Sequence, residues 1–77
     1  MKKGILVGRF QPFHIGHLEA VKYALERVER LFIVVGSSQK SYETRNPFTA
    51  KERMRMISKA VEEEIDFQKV MISSIPD

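Results

Sequence analysis

The sequence predicts an α/β fold, the β-α-β-α-β half of a doubly wound, Rossmann-like parallel sheet. Three short apolar runs predict strands, at residues 4–7, 31–35 and 70–72. The two segments between them carry apolar residues at spacings of three and four, which is the spacing of a helix face. Because a helix separates each pair of strands, the connections should be right-handed crossovers and the strands parallel. A chain of 77 residues is long enough for one small domain only.

The first half of the chain predicts a strand, a helix and a second strand. The run from Gly4 to Val7 ends at Gly8 and is interpreted as a buried strand. The next segment predicts a helix with one apolar face, formed by Leu18, Val21, Leu25 and Val28. The run from Leu31 to Val35 shows no alternation of polar and apolar residues, and such runs are typical of strands covered on both faces.

The second half predicts a loop, a helix and a third strand. The stretch from Ser37 to Phe48 is polar and contains Asn46-Pro47, which indicates a loop. Thr49, with Glu52 three residues later, forms a capping-box pattern that predicts a helix from Ala50 to about Glu64. The buried face of that helix is predicted to consist of Ala50, Met54, Ile57 and Val61. A third strand is predicted from Val70 to Ile72.

Composition and charge exclude several classes of protein. The net charge of +3 comes from basic residues that are spread along the chain among acidic ones, whereas a nucleic-acid groove favours clustered basic residues with exposed aromatics. The longest apolar run near the N-terminus, Ile5-Leu6-Val7, is too short for a signal sequence or a membrane span. The absence of cysteine fits a reducing compartment. We therefore expect a cytoplasmic protein without a nucleic-acid or membrane partner.

The segment after the first strand carries the strongest functional signal. In folds of this type, ligands bind beyond the carboxyl ends of the strands. Both histidines of the chain, His14 and His17, lie there at a spacing that puts them on the same face of the first helical turn. A helix start attracts phosphate, and no Ser, Thr, Asp or Asn between residues 8 and 17 is available to cap this one, so its N–H donors should be open to a ligand. Gly16 would leave room for a phosphate or base near the backbone.

Three separated motifs carry a family resemblance. His14-Ile15-Gly16-His17 resembles the H-x-G-H signature of the nucleotidyltransferase superfamily, which class I aminoacyl-tRNA synthetases share. The stretch Gly8-Arg9-Phe10-Gln11-Pro12-Phe13-His14 resembles the archaeal-type nicotinamide mononucleotide (NMN) adenylyltransferases. Residues 36–41, GSSQKS, are similar to that family's G-S-A-Q-x-S, with Ser38 where Ala is usual. Residues 46–53 are similar to its N-P-F-T-x-x-E-R. The motifs occur in the family's order and cover most of the chain.

The resemblance implies an enzyme that transfers AMP from ATP to NMN, which gives NAD and pyrophosphate. It implies catalytic roles on the phosphates for His14, His17, Arg9 and Arg45. It implies a nucleotide-binding surface formed by Gly8, Phe10, Gly16, Gly36, Ser37, Gln39 and Asp77. The rings of Phe10, Phe13 and Phe48 are nevertheless expected to pack beneath the loops. Mg²⁺ should accompany the ATP phosphates, and no residue is assigned to hold it.

The resemblance also implies a longer protein, with a second half that carries S-x-T-x-x-R. Residues 1–77 are accordingly interpreted as the N-terminal, nucleotide-binding part of a single nucleotidyltransferase domain, and the exposed edge of strand one should favour a homo-oligomer. One alternative is a related pantetheine-phosphate adenylyltransferase or cytidylyltransferase, which usually show Asp-Pro where Gln11-Pro12 stands here. Another is a non-catalytic half domain that binds nucleotide and self-associates.

Overall fold

The computed structural model describes residues 1–39, 41–42 and 47–76, and within these ranges it has the predicted alternation of strands and helices. The elements in chain order are β1 (Lys3–Gly8), α1 (Ile15–Leu25), β2 (Arg30–Val35), α2 (Ala50–Glu64), a 3-10 turn (Phe67–Lys69) and β3 (Val70–Ser74). The predicted α/β class is confirmed. In the described part of the chain, neither helix combines the length and the apolar character needed to cross a bilayer.

The three strands form one parallel sheet in the order β1-β2-β3. Strand β2 is central, and it pairs with β1 from Lys3↔Arg30 to Gly8↔Val35. Both crossovers run in the same direction along the sheet, so two right-handed connections place α1 and α2 on the same face. An ion pair between Lys22 Nζ and Glu64 Oε2, 3.2 Å apart, joins the two helices on that side.

The hydrophobic core lies between this face of the sheet and the two helices. Its buried residues are Phe10, Val21, Leu31, Ile33, Val35, Ile57, Val61 and Val70. Helix α1 ends at Leu25, earlier than the apolar spacing predicts, yet Val28 in the following turn still packs against the core. In α2 the predicted stripe is confirmed at Ile57 and Val61, whereas the half-buried Met54 lies at the margin.

The predicted capping box fixes the start of α2. Thr49 Oγ1 accepts a hydrogen bond from Glu52 N (3.0 Å), and Glu52 Oε1 accepts one from Thr49 N (2.8 Å). These hydrogen bonds stabilise the carboxylate, so they lower the pKa of Glu52. The reciprocal pair satisfies two backbone donors that the first helical turn leaves open.

The opposite face of the sheet is open, and two predictions about burial were wrong. Strand β1 is not buried, since Ile5 is 71% exposed and Val7 is 61% exposed. Strand β2 is covered on one face only, because buried residues alternate along it with half-buried ones. Both departures have the same cause. The residues on the second face, Ile5, Val7, Phe32, Val34 and Met71, point away from both helices.

Candidate active site

The loops that follow β1 and β2 lie side by side at the carboxyl edge of the sheet. Gly36 N donates a hydrogen bond to Gly8 O at 2.8 Å, which continues the pairing of the two strands into the loops. Phe10 turns inward from the first loop and is only 3% exposed. Its ring meets Phe13 (centroids 5.6 Å apart) and the edge of His17 (4.9 Å), so it packs beneath the loops as predicted.

The two histidines cap helix α1, contrary to the prediction of an open helix start. His14 Nδ1 accepts a hydrogen bond from Gly16 N (3.1 Å), and His17 Nδ1 accepts one from His14 N (3.1 Å). The helix start was predicted to be uncapped because it lacks Ser, Thr, Asp and Asn. That prediction was wrong, since an unprotonated imidazole nitrogen accepts a hydrogen bond as a hydroxyl oxygen does. The result is a capping box built from two histidines, named here the histidine box.

The histidine box assigns the tautomer of both rings. A neutral imidazole carries its single proton on one nitrogen, and both Nδ1 atoms are occupied as acceptors. Each ring therefore carries its proton on Nε2. Burial lowers the pKa of His17, and the neighbouring His14 lowers it further, so this ring is neutral at physiological pH. With ring centroids 3.8 Å apart, the pair offers two Nε2–H donors from one helical turn.

Gly16 makes room for the ring of His14, and Gly8 makes room for the ring of Phe10. A Cβ at Gly16 would lie 2.9 Å from Cε1 of His14, closer than such atoms approach each other. A Cβ at Gly8 would lie 2.9 Å from Cζ of Phe10. Gly16 was expected to leave space for a ligand, but the structure gives that space to the His14 ring. Each glycine thus fixes the position of an aromatic side chain in the first loop.

Arg53 ties the two loops to helix α2 through backbone carbonyls. Its guanidinium is fully buried. Nη1 donates to Arg9 O (2.9 Å) and Gly36 O (2.8 Å), Nη2 donates to Ser37 O (3.0 Å), and Nε donates to Thr49 O (3.2 Å). Burial lowers the pKa of Arg53, as does the charge of Arg9, yet a guanidinium keeps its proton at any physiological pH.

Arg53 was not among the predicted site residues. A signal was present, because positions 53, 57 and 61 recur every four residues on the buried face of α2. An arginine on such a face must find several acceptors, since a buried guanidinium without hydrogen bonds is costly. Which acceptors it finds depends on loops distant in the sequence.

Both loops contain a residue in the left-handed region of the backbone. Phe10 has φ of 53° and Ser37 has φ of 52°. Such conformations cost on the order of 1–3 kcal/mol for residues other than glycine, and they persist where the surroundings hold them in place. They concentrate at functional sites, so the two loops are pre-shaped at the point where they converge.

The remaining predicted site residues fall into three groups. Arg9 and Gln39 are exposed at the carboxyl edge, where a ligand can reach them. Ser37 is 1% exposed, so it contributes to the shape of the second loop more than to its surface. Arg45 and Asp77 lie outside the described residues. Within the described ranges, no three His, Cys, Asp or Glu side chains converge to form a metal cage.

The arrangement is a parallel α/β module with two imidazole rings at a helix start and an exposed arginine, Arg9, at the carboxyl edge of the sheet. Residues 5–74 match the family model described as cytidylyltransferase-like, and the chain belongs to that family.

Named relatives extend the comparison. The chain is 49% identical to nicotinamide-nucleotide adenylyltransferase of Saccharolobus solfataricus, an alignment that covers 100% of this chain and 45% of that protein. It is 54% identical to the enzyme of the same name from Ignicoccus hospitalis, over 97% of this chain and 44% of that protein. The chain thus spans less than half the length of these curated relatives.

A solved structure has the same fold. The chain superimposes with a TM-score of 0.94, at 34% identity, on a bifunctional NMN adenylyltransferase/ADP ribose pyrophosphatase from Francisella tularensis, solved in complex with AMP and an Mn ion. The match covers 100% of this chain and 23% of that one. The three parallel strands and two helices described here therefore recur in part of that bifunctional protein.

Proposed function

We propose that this chain supplies the N-terminal, nucleotide-binding part of an NMN adenylyltransferase. The observation that carries the proposal is the histidine box, in which both Nδ1 atoms are held by the backbone and both Nε2–H groups are left to donate. The names of the relatives from Saccharolobus solfataricus and Ignicoccus hospitalis support the choice of reaction. The AMP in the Francisella tularensis structure supports an adenine nucleotide as the ligand.

In the proposed reaction, a 5′-phosphate oxygen of NMN attacks the α-phosphorus of ATP. The new P–O bond joins the two nucleotides as NAD, and the bond from the α-phosphorus to the bridging oxygen breaks, so pyrophosphate leaves with the electron pair. No protein nucleophile is required. The protein must align two polyanions and stabilise charge that develops on the phosphoryl oxygens. Magnesium enters as the MgATP substrate, because Mg²⁺ is commonly held by substrate phosphates with few protein ligands.

Roles follow for the predicted site residues. His14 and His17 donate from Nε2 to phosphate oxygens, while the backbone N–H groups hold their Nδ1 atoms in place. Arg9 and Arg45 neutralise the phosphates from the two loops. Of the predicted binding surface, Gly8, Gly16, Gly36 and Gln39 are left to contact the nucleotide, whereas the buried Phe10 and Ser37 shape the loops beneath it. Asp77 stays a prediction.

The test separates ligand binding from helix capping. The double variant His14→Asn/His17→Gln rebuilds a capping box with amide side chains and removes both imidazoles. We expect its free energy of unfolding to stay within about 0.5 kcal/mol of the original. Its affinity for ATP, measured by calorimetry, should fall at least about tenfold, which corresponds to the loss of about 1.4 kcal/mol.

Further ligands in the same titration discriminate between the related enzymes. Tighter binding of CTP than of ATP would favour a cytidylyltransferase, and binding of phosphopantetheine in place of NMN would favour the pantetheine-phosphate enzyme. A double variant that is stable and binds ATP like the original would refute the assigned role of the histidines.

A further inference from the structure

Arg53 contacts the loops at two equivalent points. At these points its Nη1 donates to the backbone carbonyls of Arg9 and Gly36. Each of these carbonyls belongs to the peptide that immediately precedes a left-handed residue, Phe10 in the first loop and Ser37 in the second. One guanidinium nitrogen therefore holds the corresponding peptide in both loops.

The hydrogen bonds to these carbonyls also set the direction of two backbone N–H groups. In a trans peptide the C=O and N–H bonds point in opposite directions. With the carbonyls of Arg9 and Gly36 directed at Arg53, the N–H groups of Phe10 and Ser37 are directed away from it. Nη2 also donates to the carbonyl of Ser37, at 3.0 Å. This carbonyl belongs to the peptide that follows the left-handed residue of the second loop.

We propose that Arg53 is a positioning residue that sets the shape of both nucleotide-binding loops. It acts through the backbone of Phe10 and Ser37 and places Arg9 relative to the second loop. The proposal rests on the proposed function, since the loops are taken as the nucleotide-binding surface. A planar guanidinium with five donors can satisfy four carbonyls from three segments at once. A lysine ammonium at the same position keeps the charge but has three donors on one nitrogen, so it cannot span them.

Helix α2 offers a matched control. Arg55 lies two residues further along the same helix, and its side chain is exposed. Arg53→Lys and Arg55→Lys are the same chemical change in the same helix. Only the first should alter the loops.

The experiment measures three properties of each variant, namely the urea unfolding midpoint, the amide chemical shifts of Phe10 and Ser37 and the dissociation constant for ATP. We expect Arg55→Lys to match the original chain in all three. We expect folded Arg53→Lys to show displaced amide resonances at Phe10 and Ser37 and at least about tenfold weaker ATP binding. Folded Arg53→Lys with unmoved amides and unchanged affinity would overturn the proposal.

Ser37→Gly provides a second, independent arm. Glycine adopts positive φ without the cost that serine bears, so the second loop should depend less on Arg53 in this background. The loss caused by Arg53→Lys, in ATP affinity or in the unfolding midpoint, should therefore be smaller with Ser37→Gly than without it. An equal loss in both backgrounds, or failure to fold in both, would show that Arg53 serves folding alone and would overturn the proposal.

The two hypotheses can fail separately. If the original chain binds neither ATP nor NMN, the proposed function fails. The displacement of the Phe10 and Ser37 amides in Arg53→Lys would still report whether Arg53 shapes the loops.

Discussion

The side-chain amide of Gln11 forms two hydrogen bonds with the backbone of Phe48, one in each direction. Gln11 Nε2 donates to Phe48 O (3.0 Å), and Phe48 N donates to Gln11 Oε1 (2.9 Å). The side chain of Gln11 in the first loop thus pairs with the backbone of Phe48, the residue before Thr49, which caps α2. The pattern of one donated and one accepted hydrogen bond is the same as between two strands. Only a group that both donates and accepts can form this pair. Gln11 and Arg53 together connect the first loop to the start of α2.

We predict that Gln11→Glu destabilises the fold. The carboxylate still accepts from Phe48 N, but its second oxygen then faces the carbonyl oxygen of Phe48 with no proton between them. The free energy of unfolding at neutral pH should fall by about 1–3 kcal/mol. Urea unfolding measures it, with Gln68→Glu as the control, because Gln68 is exposed and receives the same charge. Equal losses in the two variants would show that the pair with Phe48 contributes nothing specific.

We predict that the stability of the chain falls as the pH is lowered through the titration of His17. The pKa of His17 in the folded chain lies below its ordinary value of 6.5, so the unfolded chain takes up protons first as the pH falls. The contribution of the neutral His17 ring to the free energy of unfolding is fully present above pH 6.5. It is lost as the pH falls through the lowered pKa of His17.

Urea unfolding between about pH 7.5 and about pH 5.5 checks this. His14→Asn/His17→Gln removes both histidines of the chain and should show a flatter profile over this window. Glu52 also has a lowered pKa, but its loss occurs below its ordinary value of 4.5 and so outside the window. Parallel profiles for the two proteins would contradict the histidine box.

We predict that the 77-residue chain self-associates through the open face of the sheet. Ile5 and Val7 expose apolar side chains on this face, and an exposed apolar patch favours association. Both residues lie on an edge strand, whose unpaired backbone also favours pairing with another chain. Sedimentation velocity should show a rise in mass with concentration. The rise should vanish in Ile5→Lys/Val7→Thr and persist in Tyr23→Lys, where a side chain that is 60% exposed changes on a helix instead. A monomer at every concentration would refute the prediction.

We predict that this chain alone binds nucleotide but forms NAD very slowly. It carries the proposed phosphate-binding residues His14, His17, Arg9 and Arg45, and it spans 45% of the Saccharolobus solfataricus enzyme. A small misplacement of the reacting groups costs about 100-fold in rate, and water in a half-open cleft screens the charges further. A coupled assay of NAD formation decides. Turnover of about 1 per second or more would show that these residues suffice.

The element order was predictable because its signals are local. Thr49 and Glu52 are three residues apart, and their capping box set the start of α2 correctly. The spacing of Ile57 and Val61 identified a buried face in the same way. Burial of β1 was not predictable from its apolar residues. Ile5 and Val7 are exposed because both helices cross on the other side, which is a property of strand order and not of the strand's own sequence.

In the candidate site, too, the features with local signals were predictable and those that depend on distant contacts were not. The position of the histidines at the carboxyl edge followed from the motif, whereas their capping role did not, because histidine is not among the residues expected at a helix start. The bonds of Arg53 reach 44 residues back to Arg9 and 17 back to Gly36. Contacts over that separation depend on how the loops pack, and no spacing rule covers them. Arg45 and Asp77 stay predictions.

The contacts of Arg53 bear on how this site can be redesigned. The hydrogen bonds from Arg53 to Arg9, Gly36 and Ser37 end on backbone carbonyls, which every type of residue carries. Loop shape and loop chemistry are then separate variables. A directed-evolution library that keeps Arg53 while randomising Arg9 and Ser38 would change the side chains on the loops without changing the backbone conformation of the loops. Altered nucleotide preference should emerge from such a library far more often than from one that also varies Arg53.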